Sequence, residues 1–154
     1  MTDWTIALLG NPNCGKTTLF NALTGANQRV GNWPGVTVDR KEGTYRHNGK
    51  TVTVVDLPGI YAIDAEDEGS AVDETIARNY LLSGEAQVVV NIVDASNLER
   101  SLYLTTQVLE MGMPFLMVLN MTDVAEEQGT RINARLLSDH LGCPVVPMVV
   151  SLVS

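Results

Sequence analysis

One short segment near the start of the chain, Gly10 to Thr17, restricts the fold more than any other feature. It reads Gly-Asn-Pro-Asn-Cys-Gly-Lys-Thr and lies between an apolar run, Thr5 to Leu9, and an amphipathic stretch, Lys16 to Leu23. Glycines let backbone amides turn inward around phosphate oxygens, the lysine adds positive charge near the β and γ phosphates, and the threonine hydroxyl can bind Mg2+. The alternative is an ordinary glycine-rich turn with a helix-capping threonine. The flanking strand and helix favour a phosphate-binding loop.

Short apolar segments alternate with amphipathic stretches along the rest of the chain, and this alternation predicts an α/β fold. The segments predicted as buried strands are Thr5 to Leu9, Thr51 to Val55, Val88 to Val93, Phe115 to Leu119 and Val145 to Val150. The predicted helices are Lys16 to Leu23, Ser70 to Leu82, Leu98 to Met111 and Arg131 to Leu141. Asn48-Gly49 favours a tight turn, so Glu42 to His47 is expected to form an antiparallel hairpin strand.

These elements together predict a mainly parallel sheet of six strands with helices on both faces. In sheets of this kind, ligands bind outside the carboxyl ends of the strands. The phosphate-binding loop lies at such an end. We therefore expect the functional site there.

Two more motifs directly follow predicted strands. In Asp56-Leu57-Pro58-Gly59, the aspartate can hold a water bound to Mg2+, and the glycine amide can reach a γ phosphate. In Asn120-Met121-Thr122-Asp123, the last carboxylate can accept hydrogen bonds from N1 and the exocyclic amine of guanine, a donor pair that adenine lacks. Asn120 would tie this loop to the phosphate loop. A helix-capping aspartate is the alternative, but the order of the three motifs favours a GTP site.

The segment Arg29 to Arg40 is rich in turn-forming residues and is predicted to be a mobile loop. Its Thr37 is the best candidate for a second hydroxyl on Mg2+, ordered only when a γ phosphate is present. The same segment contains Trp33, which looks unprotected in the sequence. The alternative for this tryptophan is packing on a neighbouring strand.

Composition limits the number of domains, the classes of partner and the cellular compartment. A chain of 154 residues with 45% hydrophobic side chains suits one globular domain, residues 1–154. The formal net charge of -8 disfavours attachment to nucleic acid or anionic lipid. The two cysteines are far apart, which argues against a disulfide scaffold and favours the cytosol. No apolar run is long enough to cross a bilayer, so this chain alone is expected to be soluble.

The last predicted strand is followed by too few residues to form another helix. Only Ser151 to Ser154 follow the last predicted strand. Because parallel sheets are covered by helices on both faces, the fold is expected to lack its final helix, as a truncated chain would.

The motifs together resemble the amino-terminal G domain of the FeoB family, bacterial ferrous-iron transport proteins with a P-loop GTPase of the TrmE-Era-EngA type. The resemblance rests on the phosphate loop with the Thr-Leu-Phe-Asn after it, on Gln28 to Val38, on Asp56 to Gly59 and on Asn91 to Arg100. It runs from Thr5 to about Pro147. It implies a Ras-like P-loop GTPase fold and a cytosolic domain that binds GTP and GDP and hydrolyses GTP slowly.

The resemblance also implies a setting and partners. In the intact protein, the domain precedes a helical domain and a membrane domain at the cytoplasmic face of the bacterial inner membrane, and acts as a nucleotide switch for Fe2+ uptake. Neither of those domains is in this chain. Whether the domain forms a homo-oligomer stays open.

The residues implied for hydrolysis are Lys16, Thr37, Gly59 and Asn13. Asn13 matches the asparagine that binds K+ in potassium-activated members of the superfamily, where Asn32-Trp33 matches the backbone lid over the ion. A monovalent cation beside the phosphates can supply the charge that an arginine finger supplies elsewhere.

Magnesium is assigned to Thr17 and Thr37, with Asp56 binding through water. The residues expected to contact the guanine nucleotide are Gly10, Asn11, Pro12, Asn13, Cys14, Gly15, Lys16, Thr17, Thr18, Gly35, Val36, Thr37, Asp56, Gly59, Asn120, Asp123 and Ser151.

Three positions depart from the family pattern. Ile60 follows Gly59, where Ras-like enzymes carry a glutamine that orients water. Thr122 stands where many G proteins have a lysine. The last guanine loop, expected as Ser-Ala or Ser-Thr, reads Val149-Val150-Ser151-Leu152, so either Ser151 acts one place late or the tail is not native.

Two alternative functions remain beside a slow GTPase. A module that senses nucleotide with negligible turnover is favoured by the missing glutamine. A P-loop nucleoside kinase is disfavoured, because Asn120 and Asp123 follow a strand and no arginine-rich lid is present.

Overall fold

The structure, a computed structural model, describes residues 3–63 and 72–149. The elements in chain order are β1 (Trp4–Gly10), α1 (Lys16–Thr24), β2 (Gln28–Asn32), β3 (Asp39–His47), β4 (Lys50–Asp56), α2 (Val72–Leu82), β5 (Val88–Asp94), α3 (Leu98–Glu110), β6 (Phe115–Asn120), α4 (Thr122–Glu127), α5 (Ala134–Leu141) and β7 (Val145–Pro147). A turn of 3-10 helix, Ala95–Asn97, links β5 to α3. No helix in these two ranges could cross a membrane, since none is both long and apolar enough.

The strands form one sheet in the order β2-β3-β4-β1-β5-β6-β7. Neighbours from β4 to β7 are parallel, whereas β2 and β3 pair antiparallel to each other and β3 pairs antiparallel to β4. The predicted class, a mainly parallel α/β sheet with an antiparallel hairpin, is confirmed. Since β1 lies in the middle of the sheet, the loop that follows it stands between the loops that follow β4 and β5.

The sheet has seven strands rather than the predicted six. The additional strand is β2, Gln28–Asn32, which overlaps the start of the segment predicted to be a mobile loop, Arg29 to Arg40. That prediction was wrong for Arg29 to Asn32, and also for Asp39 and Arg40, which begin β3. All five residues of β2 are exposed, and Val30 is its only large apolar side chain. A strand at the sheet edge with no buried face gives no alternating apolar pattern, and so it was not predicted.

Two apolar clusters cover the two faces of the sheet. Along β1, Leu8 packs in the cluster of Leu19 and Phe20 from α1. Its neighbours Ala7 and Leu9 pack in the opposite cluster, which holds the buried side chains of α2 and α3. Successive residues of a strand point to opposite faces, so this division confirms helices on both sides.

The ends of several elements differ from the prediction. The last strand, β7, stops at Pro147, and Val150 lies outside the described residues. The start of the second predicted helix, Ser70, also lies outside them. Helix α5 begins at Ala134 rather than Arg131, because the Asn133 side chain caps it by accepting a 3.0 Å hydrogen bond from the Leu136 amide. Within the described ranges, no helix follows β7.

Candidate nucleotide-binding site

The phosphate loop adopts a tight conformation that requires glycine at two positions. Gly15 has φ of 99°, and a Cβ placed there would lie 2.2 Å from Nδ2 of Asn120. A Cβ on Gly10 would lie 2.6 Å from Sγ of Cys14 and 2.7 Å from the carbonyl oxygen of Ile92. These distances are too short for real Cβ contacts, so the glycines permit the loop to pass close to β5 and β6.

Asn120 joins the phosphate loop to the loop after β6. Its Nδ2 donates a 2.9 Å hydrogen bond to the carbonyl oxygen of Cys14, and the residue is buried. Asp123 is the last residue of the same motif. It lies in the first turn of α4 and is exposed. The two loops predicted to cooperate are thus held together by a direct contact.

Lys16 and Asp56 form an ion pair between the phosphate loop and the end of β4. The two side chains are 11% and 7% exposed, respectively. A lysine and a carboxylate that are largely removed from water stabilise each other when paired, and each would be costly to leave alone. The lysine predicted to contact phosphate is therefore paired with a carboxylate in this structure.

A cleft of about 610 Å³ opens in front of the phosphate loop. It is lined by Asn11, Pro12, Asn13, Gly15, Lys16, Thr17, Thr18, Gly59, Asp73 and Met121. Beside it lies a smaller lobe of about 420 Å³, which shares Lys16, Thr17, Gly59 and Asp73 with the first and adds both Thr37 and Asp56. The candidate Mg2+ ligands therefore face one lobe.

A buried polar network supports the phosphate loop from behind. The Asn91 amide donates to the Leu9 carbonyl at 3.2 Å, and its Oδ1 accepts from the Thr105 hydroxyl at 2.6 Å. The Asn11 amide donates to the Ser101 hydroxyl at 3.5 Å. These hydrogen bonds connect the end of β1 to β5 and α3, which fixes the loop on the sheet.

Ile60 and Cys14 are both buried in the interior of the protein. The Ile60 amide donates to the Gly10 carbonyl at 3.0 Å, and its side chain is 3% exposed in the apolar cluster. It therefore holds no water at the cleft. Cys14 is buried, and burial raises the pKa of its thiol. A small side chain that fills space beneath the loop explains this cysteine better than a reactive thiol.

Trp33 is buried rather than unprotected. The alternative interpretation, packing on a neighbouring strand, is met in part: Arg40 of β3 lies against the ring, but the aromatic partner is Tyr80 of helix α2. Its ring partners, Tyr80 on α2 and Arg40 on β3, are distant in the sequence, and no sequence pattern linked them to Trp33.

Some of the predicted nucleotide contacts do not line the cleft in this structure. Those that do not line either lobe are Gly10, Cys14, Gly35, Val36, Asn120 and Asp123. Ser151 lies outside the described residues. Sequence reasoning missed Asp73 and Met121, which line the cleft from the start of α2 and the loop after β6. Met121 was visible inside the Asn120 motif, whereas no sequence pattern indicated which way Asp73 points.

A central parallel strand that leads through a glycine loop into a helix, with lysine and threonine facing a cleft, defines a P-loop nucleotide-binding domain. Residues 4–152 match the family described as Ferrous iron transport protein B. The chain belongs to this FeoB family.

Similar proteins agree on the family and the fold. The chain is 58% identical over 149 residues to the Fe(2+) transporter FeoB of Salmonella typhimurium, which covers 97% of this chain but 19% of that protein. It matches the cytosolic domain of L. pneumophila FeoB with a TM-score of 0.91 and 49% identity, over 95% of this chain and 62% of that one. It also matches a GDP-bound variant of the S. thermophilus FeoB G-domain with a TM-score of 0.89 and 54% identity, over 98% and 55% of the two chains. The Ras-like P-loop GTPase fold is thereby confirmed.

Proposed function

We propose that this chain binds GTP and GDP, hydrolyses GTP slowly, and acts as the nucleotide switch for Fe2+ uptake by a longer transporter. The observation that supports the proposal is the Asn120 hydrogen bond to the phosphate loop, because it joins the motif proposed to read guanine to the loop proposed to bind phosphate. The S. thermophilus FeoB G-domain, a relative of similar fold, has been solved with GDP bound.

Phosphate binding would use backbone amides and would move the Lys16 side chain from Asp56 to the phosphate oxygens. Amides of residues 13–17 stand at the amino end of α1, where the helix dipole favours anions. Lys16 pairs with Asp56 in this structure and would turn to the β and γ phosphate oxygens. Asp56 then becomes free to accept a hydrogen bond from a metal-bound water.

The residues present fit Mg2+, which prefers oxygen ligands. Thr17, Thr37 and Asp56 line the same lobe and offer two hydroxyls and a carboxylate. Residues 3–63 and 72–149 contain no group of three or more His, Cys, Asp and Glu side chains that could hold a metal, so phosphate oxygens would complete the coordination. Bound Mg2+ would neutralise charge on the phosphates.

Potassium is the second proposed cation. Asn13 is exposed and lines the larger lobe, and its φ of 65° lies in the left-handed region that asparagine tolerates. Its amide oxygen suits a weakly hydrated monovalent cation. The Asn32-Trp33 backbone would complete that site from the other side.

Hydrolysis would depend on backbone groups to position the attacking water. The Ile60 side chain is buried and has no polar atom, so backbone carbonyls and amides of the loop from Trp33 to Thr37 are proposed to position the water. The same absence favours the second candidate, a nucleotide-sensing module with negligible turnover. Single-turnover phosphate release from GTP distinguishes the two, since a sensor would retain intact GTP.

Calorimetry with GDP, GTP, ADP and ATP in Mg2+ tests the nucleotide proposal. We expect guanine nucleotides to bind and adenine nucleotides to bind far more weakly. Lys16→Ala should greatly weaken GTP binding, because the triphosphate loses its main side-chain cation. Lys50→Ala is the matched control, since this lysine is exposed at the start of β4, the end of the strand opposite Asp56.

Equal affinities for GTP and ATP would contradict guanine recognition. Unchanged GTP affinity in Lys16→Ala would contradict phosphate binding at this loop.

The chain spans about a fifth of the length of the relatives that it matches. The helical and membrane domains of the intact transporter are its proposed partners, with the cytoplasmic face of the inner membrane as its place. A homo-oligomer is a further proposed state.

A further inference from the structure

The loop that carries Thr37 is closed on itself by backbone hydrogen bonds. The Trp33 amide donates to the Val38 carbonyl at 3.0 Å, and the Val36 amide donates to the Trp33 carbonyl at 3.2 Å. Val36 and Val38 pack against the apolar cluster, whereas Thr37 between them is exposed and lines the smaller lobe of the cleft. The direction in which Thr37 faces therefore depends on how the loop is anchored.

Trp33 is the anchor of this loop. Its ring is 4% exposed and meets the ring of Tyr80, on α2, edge to face at 5.6 Å between centroids and 72° between planes. The Arg40 guanidinium, on β3, lies 4.7 Å from the Trp33 ring centroid and 5.5 Å from that of Tyr80. Edge-to-face aromatic pairs and a cation over a ring are both attractive arrangements.

Arg40 is held above the two rings by carboxylates. Its guanidinium pairs with Glu42 at 3.3 Å and with Glu85 at 3.2 Å. Burial, and after it the nearby Glu85, raise the pKa of the Tyr80 hydroxyl, so this group stays neutral at physiological pH. The anchor thus joins the loop after β2, strand β3, helix α2 and Glu85 in the loop after α2.

The rings, not their polar atoms, make these contacts. Nε1 of Trp33 is buried and has no hydrogen-bond partner among the described residues, and the buried Tyr80 hydroxyl lies near the Glu85 carboxylate without a hydrogen bond of good geometry. Removing the Tyr80 hydroxyl while keeping its ring should therefore leave the anchor intact. This gives a matched pair of variants, one that removes the ring and one that removes only the oxygen.

We infer that Tyr80 and Arg40 are positioning residues for GTP hydrolysis, because they hold Trp33 and thereby keep Thr37 facing the phosphate cleft. The inference rests on the proposed function. It assigns to α2 and β3 a task that none of the predicted site residues performs. Without the ring of Tyr80, the loop would lose its main buried contact outside its own strand.

The test is single-turnover hydrolysis of GTP by the unmodified chain, Tyr80→Ala and Tyr80→Phe, with GDP affinity measured for each. We expect Tyr80→Ala to reduce the hydrolysis rate at least tenfold and to change GDP affinity less than twofold. Thr37 serves the γ phosphate side, which GDP lacks. Tyr80→Phe should match the unmodified chain within twofold in both measurements.

Intrinsic fluorescence reports the anchor separately from the chemistry. The chain has two tryptophans, so Trp4→Phe leaves Trp33 as the only one. In that background, Tyr80→Ala should shift the emission to longer wavelength as Trp33 becomes exposed, and Tyr80→Phe should not. A shift without a loss of hydrolysis rate would overturn the inference.

Arg40→Gln covers the case in which Tyr80→Ala fails to fold, as judged by thermal unfolding. Arg40 is only partly buried, so its replacement leaves no large cavity, and a threefold or greater loss of rate with GDP affinity retained is expected. An unchanged rate in Arg40→Gln together with an unchanged rate in any folded Tyr80→Ala overturns the inference. Absence of hydrolysis in the unmodified chain would instead contradict the proposed function.

Discussion

The phosphate loop and the Thr37 loop face the same cleft, but they are held in place by different means. The phosphate loop follows the central strand and is fixed by close backbone packing and by hydrogen bonds from Asn120 and Asn91. The Thr37 loop follows the edge strand β2 and is held chiefly by the rings of Trp33 and Tyr80. The first is thus fixed by several backbone and side-chain contacts, whereas the second depends mainly on the packing of side chains against a helix.

Substitution of matched glycines should show the largest difference between the two loops. Gly15→Ala should abolish detectable nucleotide binding, because its φ is 99° and the new Cβ would meet Asn120 at 2.2 Å. Gly35→Ala, where φ is 75° and no atom lies within 4 Å, should cost about 1 kcal/mol of stability and keep GDP binding. Calorimetry with GDP and thermal unfolding measure both. Nucleotide binding by Gly15→Ala equal to that of Gly35→Ala would remove the distinction.

Asp123→Asn tests the proposed guanine contact in the loop that Asn120 joins to the phosphate loop. The variant loses a charged acceptor and gains a donor that faces the donors of guanine, so GDP affinity should fall by about 2 kcal/mol, or roughly 30-fold. The exposed Asp139, on α5, provides Asp139→Asn as a control with the same change of charge. If both variants bind GDP like the unmodified chain, the guanine contact lies elsewhere.

Asn13→Ala asks whether a cation links the two loops. GTP hydrolysis by the unmodified chain should be several-fold faster in KCl than in NaCl at equal ionic strength, because a cage of carbonyl and amide oxygens sized for K+ fits the smaller ion poorly. The variant should lose that difference and retain GDP binding. Equal rates in the two salts for the unmodified chain would show that side-chain packing alone holds the Thr37 loop.

Thiol reactivity should show the smallest effect. Burial raises the pKa of Cys14 and of Cys143, which lowers the thiolate fraction at any pH below that pKa. Both should react with a disulfide reagent at pH 8 at least roughly tenfold more slowly in the folded chain than in denaturant. Cys14→Ser identifies the contribution of the phosphate loop. Rapid reaction of Cys14 in the folded chain would mean that this loop opens more readily than its packing suggests.

The same contrast explains what the sequence could and could not predict. Strands β1, β4, β5 and β6 were predicted to within one residue at either end, because each is a run of buried apolar residues between polar ones. The phosphate loop and the Asn120 motif could likewise be predicted, because each is a short sequence pattern at the end of a strand. Strand β2 carries no such pattern, since it has no buried face.

The anchor of Trp33 could not be predicted for a different reason. Its partners, Tyr80 and Arg40, come from α2 and β3, and only the folded arrangement of the sheet and helix brings them together. Nothing in the local sequence distinguishes a tryptophan that is exposed in a turn from one that a distant helix covers. Helix α4 was missed because Asn120 to Asp123 was interpreted mainly as a base-binding loop, with a helix-capping aspartate as the alternative; in the structure, the first turn of α4 contains Asp123.

The exposed edge strand β2 also affects how this domain behaves at high concentration. Among the described residues, β2 has a neighbour on one side only, so the amides and carbonyls along its other side remain open to a passing strand. Such an edge is a template for unwanted pairing between molecules, and natural sheets protect it with short length and charge. Here the strand is five residues long, and its Arg29 side chain is 81% exposed while pairing with Glu42. The exposed edge beside the Thr37 loop is thus short and charged enough to resist aggregation.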